Sequence, residues 1–90
     1  MNIIIKQIEL IQRMDQLIRL QATGTPDDLA TKLGISKTKL YRLINIMKEL
    51  NAPITYDISV QSFIYAEVVG FKFGFYTTDQ KSNELNPFVG

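Results

Sequence analysis

The sequence predicts a mainly α domain, three helices followed by a small β-hairpin, on three observations. Apolar residues recur at three- and four-residue spacing from Ile3 to Leu50, the period of helices with one buried face. Two breaks, Gly24-Thr25-Pro26 and Gly34-Ile35-Ser36, divide that stretch into three. From Ile54 the period becomes two, as in half-buried strands. Ninety residues hold one such core and not two. The domain is expected over residues 1–76, with 77–90 a polar, flexible tail.

The first helix is expected over residues 2–21. Ile3, Leu10, Met14 and Leu17 form one apolar row, and Ile4, Ile8, Ile11 and Ile18 another. Arg13, Asp15, Gln16 and Arg19 supply the polar side, and Gly24 is expected to end the segment. Thr25 suits an N-cap, Pro26 the first helical position, and Asp27 and Asp28 the positive end of the helix dipole. Leu29, Ala30 and Leu33 then face inward until Gly34 stops the helix. Ser36 caps a third helix, in which Leu40, Leu43, Ile44, Met47 and Leu50 make the buried face. Asn51 takes the left-handed residue that closes it, and Pro53 forces Ala52 into an extended conformation.

Ile54, Tyr56 and Ile58 alternate with Thr55, Asp57 and Ser59, and Phe63 and Tyr65 with Ile64 and Ala66. Two such runs joined through Ser59-Val60-Gln61-Ser62 read as a hairpin. The aromatic run 68–76 reads as a third strand, and the aromatic residues of 56–76 as a packing face rather than a base-stacking platform.

Composition narrows function. The chain has no cysteine and no histidine, which removes disulfides, thiolate zinc sites, and the commonest general base and metal ligand. No enzyme activity, metal, cofactor or small-molecule ligand is expected. No apolar run is long enough to span a membrane, and the N-terminus lacks the pattern of a secretory leader, so a cytoplasmic location is expected. The net charge of +1 conceals an asymmetry. Five of the ten bases (Lys32, Lys37, Lys39, Arg42 and Lys48) fall in a span with no acid, leaving five bases against nine acids elsewhere.

Within that span the helix-turn-helix requirements meet at fixed offsets. Ala30 is small where two helices touch, Gly34 allows a left-handed turn, Ile35 seals the corner, and Leu40 and Leu43 anchor the second helix. With Leu43 to Asp57 running through Pro53-Ile54, these residues resemble the winged helix-turn-helix domains of small bacterial transcription regulators, over roughly residues 10–67. The resemblance implies a helix-turn-helix at 26–50, a wing at 54–68, and sequence-specific binding of duplex DNA in transcriptional control. It implies Ser36, Lys37, Thr38, Lys39, Tyr41, Arg42 and Asn45 as the DNA-facing residues. Arg42 suits guanine, Asn45 adenine, and Lys37, Lys39 and Tyr41 phosphates or base edges. Asn51 stands where that family usually has glycine, and the tip 59–62 lacks the glycines and bases such wings often carry, so the resemblance leaves a DNA contact at the wing open. The surplus isoleucines Ile4, Ile8 and Ile11 are expected to form a homodimer interface, the alternative being that they fold back within the chain over residues 68–76. The alternative is a winged-helix module for protein–protein contact without DNA specificity of its own.

Overall fold

The computed structural model describes residues 3–72 and residue 75. Helices α1 (Ile3–Arg19), α2 (Pro26–Leu33) and α3 (Lys37–Glu49) precede strands β1 (Ile54–Asp57) and β2 (Ser62–Tyr65). The strands pair antiparallel with Ile54 opposite Tyr65 and Asp57 opposite Ser62. The protein is thus mainly helical with a small hairpin, the layout of a winged helix. No helix of the described residues is long and apolar enough to cross a membrane.

All three helices close in the same way, through a single residue with positive φ and a pair of backward hydrogen bonds. Gly34 (φ 69°) ends α2, its N–H reaching the Thr31 carbonyl while that of Ile35 reaches Ala30. Asn51 (φ 73°) does this for α3, its N–H donating to the Lys48 carbonyl and that of Ala52 to Met47. The first helix departs from expectation. It ends at Arg19, and the left-handed residue is Gln21 (φ 53°), with the Ala22 N–H donating to Leu17. Gly24 serves the next helix instead. A side chain there would place Cβ 2.8 Å from the Asp28 side chain, which accepts from the Thr25 N–H while Thr25 Oγ1 accepts from the Asp28 N–H. That reciprocal cap holds the Asp28 carboxyl below its usual range.

The core combines Leu10, Ile11, Met14 and Ile18 of α1 with Leu29, Ala30 and Leu33, with Leu40, Leu43, Ile44 and Met47, and with Ile54 and Phe63 of the hairpin. Leu50 is not part of it: 62% exposed, it caps α3 as the chain leaves the helical path. Tyr56 and Phe63 meet edge to face at 5.0 Å, as a packing pair. The turn is Ile58–Gln61, with Gln61 at φ 49° and Ser62 already in the strand. In place of glycine, Asp57 Oδ1 accepts from the N–H and the hydroxyl of Ser59, which holds that carboxyl low too. Residues 68–72 form no strand. The rest of the run expected as a third strand, except Phe75, and the tail 77–90 lie outside the described residues.

Two polar links tie the hairpin to the helices. The Phe63 N–H donates to Thr23 Oγ1 at 2.8 Å, the Thr23 N–H donates to Ser62 Oγ at 3.3 Å, and both side chains are fully buried. Asp15, expected on the polar side of α1, is buried. It accepts from the Tyr65 hydroxyl at 2.7 Å and from Arg19 Nε at 3.0 Å, and the Arg19 guanidinium lies 5.2 Å from the Tyr65 ring centre.

Candidate nucleic-acid interface

Ser36 sets the start of α3: its extended backbone ends the turn and its Oγ accepts from the Lys39 N–H at 3.1 Å. The N–H groups of Lys37 and Thr38 are left as the unsatisfied donors of the first turn. At about 100° per residue, the buried Leu40, Leu43, Ile44 and Met47 put Thr38, Arg42 and Asn45 on the outermost ridge of the helix. Lys37, Tyr41 and Lys48 lie on one flank of that ridge and Lys39 on the other. Ser36, Lys37, Thr38, Lys39, Tyr41, Arg42 and Asn45 are all exposed, so the fold brings the seven DNA-facing candidates to one surface.

The five bases do not share one role. The Lys37 ammonium pairs with Asp27 of α2 at 3.3 Å, an exposed pair worth little in energy that nevertheless offsets one positive charge. Lys32 donates to the Ala22 carbonyl, and Arg13 Nη2 donates to the Lys32 carbonyl at 2.8 Å, so both brace the junction of α1 and α2. Lys39, Arg42 and Lys48 make no side-chain hydrogen bond or ion pair among the described residues. The positive field of α3 therefore comes chiefly from these three.

The wing contributes no charge of that kind. Its tip exposes Ile58 (79%) and Val60, and Asp57 is the charged residue beside them. Of the three isoleucines expected at a dimer interface, Ile4 is exposed and Ile8 half-buried, whereas Ile11 is buried in the core. No group of three acidic residues could hold a metal ion among the described residues.

Sequence reasoning gave Lys6 no role, and periodicity carries no signal for one. The fold sets Lys6 and Gln7 of α1 beside Lys39 of α3, where with Ile3 they line an open cleft between the starts of the two helices. Comparison with protein-family models, curated proteins and solved structures found no match.

Proposed function

We propose that the protein binds duplex DNA sequence-specifically through α3, as a homodimer that regulates transcription. The observation that carries this reading is the outer ridge of α3, where Arg42 and Asn45 project unpinned on a helix whose opposite face is wholly core. An α-helix presented in this way fits a major groove about 12 Å wide. Arg42 can donate two hydrogen bonds to guanine, and Asn45 can exchange two with adenine. Lys39, Lys48, Tyr41 and the free N–H groups at the start of α3 suit the flanking phosphates. The exposed Ile4 and half-buried Ile8 at the start of α1 support the dimer, because clustered apolar surface there favours a second copy.

Arg42→Ala and Asn45→Ala test the reading. Each is expected to cost about 1–3 kcal/mol on the preferred site and to relax its sequence preference, with little change on random duplex. Equal losses on both kinds of DNA would show that neither side chain reads bases.

A second reading has one observation in its favour. The neutral, apolar wing tip with Ile58 outward suits a protein surface better than a phosphate backbone. On that reading the domain is a docking module, and changes at Ile58 rather than Arg42 abolish partner binding.

A further inference from the structure

The cleft between the starts of α1 and α3 is lined by Ile3, Lys6, Gln7 and Lys39. Two lysines from different helices line it, no acid does, and neither ammonium makes an ion pair among the described residues. Glu9, one turn along α1 from Lys6, leaves it unpaired as well. Like charges held in one cleft repel, and an anion between them removes that cost. The walls are chiefly apolar, made of Ile3 and the methylene stems of the lysines. A sugar–phosphate backbone matches both features, because its deoxyribose packs against apolar carbon while its phosphate meets the charged ends.

We infer that Lys6 and Lys39 jointly hold a backbone phosphate of the duplex that α3 reads, with the Gln7 amide as an additional donor. This rests on the DNA-binding reading of α3. Lys39 lies about 60° round α3 from Arg42, so it belongs both to the cleft and to the margin of the reading ridge. Lys6 lies about 160° round α1 from Ile4 and Ile8, so its side chain leaves the helix away from the dimer patch, with Gln7 between the two, about 60° from Ile4. The cleft therefore carries the DNA contact beyond α3 onto α1, through a lysine that faces away from the pairing surface.

Binding of the full chain to a duplex selected from a random-sequence pool and to unselected random duplex, followed across a salt series, tests this with Lys6→Gln, Lys39→Gln, the double variant and Lys6→Arg. Far-ultraviolet circular dichroism confirms that each variant is folded. Lys6→Gln is expected to weaken both duplexes alike, by about 3- to 10-fold, and to make the log–log salt slope shallower by part of the roughly 0.9 per protomer that the double variant loses in full, the worth of one phosphate. Lys6→Arg keeps the charge and restores the slope. The double variant should lose less than the product of the single losses, because the two lysines grip one phosphate. Unchanged affinity and slope in Lys6→Gln, while Arg42→Ala still relaxes specificity, overturns the cleft and leaves the reading of α3 standing. Strictly multiplicative losses overturn the shared phosphate. Failure of the unaltered protein to bind any duplex overturns both.

Discussion

Tyr65 shows how one side chain couples the hairpin to the helices. Its hydroxyl donates to the buried Asp15, and Arg19 closes the cluster from one turn away. Burial, and next the hydrogen bond to Asp15, push the phenol above its ordinary value of 10.0. Neutral Tyr65 is thus favoured in the folded state, and its contribution is fully present below pH 10 and lost as the pH rises beyond that. Chemical denaturation across pH 8 to 11 should show stability falling at the alkaline end, more steeply than in Tyr65→Phe. At neutral pH that variant should cost about 1 kcal/mol, the net worth of one hydrogen bond. Equal alkaline slopes in the two proteins would remove Tyr65 as the cause. None of this was legible in the sequence, where Asp15 and Arg19 read as solvent-facing at helical spacing. A strand partner 50 residues away leaves no trace in local periodicity.

At the scale of elements, the punctuation of the helices was read more reliably than the polar links. Thr25, Pro26, Gly34, Ser36 and Asn51 occupy the positions their backbone preferences indicated. The exception is instructive. Gly24 was the obvious left-handed residue after α1, yet Gln21 takes that conformation, and Gly24 is reserved by close contact with Asp28. Both have positive φ, and the sequence shows only the glycine. A side chain in the left-handed region costs roughly 1 kcal/mol, so Gln21→Gly should raise the thermal midpoint by a few degrees. Gly24→Ala, which forces Cβ onto the Asp28 side chain, should lower it. If Gln21→Gly is the destabilising one, the account of how α1 ends is wrong. Leu50 fails for a related reason: its spacing fits the buried stripe of α3, but the helix stops just before the stripe would bury it.

For the whole molecule, the core and the hairpin follow from the change of period, and the seven candidate residues, Ser36 at the cap and six of the exposed residues of α3, follow from the core by subtraction. What lay beyond reach was how separate helices share a surface, as Lys6 and Lys39 do, and that Ile11 is taken by the core. The proposed dimer therefore rests on Ile4 and Ile8. Sedimentation at micromolar concentration should give about twice the 10.3 kDa chain mass, and Ile4→Glu with Ile8→Glu a folded monomer of lower avidity for DNA. A monomeric unaltered protein would leave each copy to bind a single half-site.

Whether α3 enters the major groove can be read residue by residue from backbone amide shifts recorded while duplex DNA is added at low salt. The largest shifts are expected at Ser36 to Asn45, fading as salt is raised. Lys6 and Gln7 should move with them, and Ile58 to Gln61 should stay still. Shifts confined to the wing tip, or no shifts at any duplex concentration, would contradict entry of α3 into the groove.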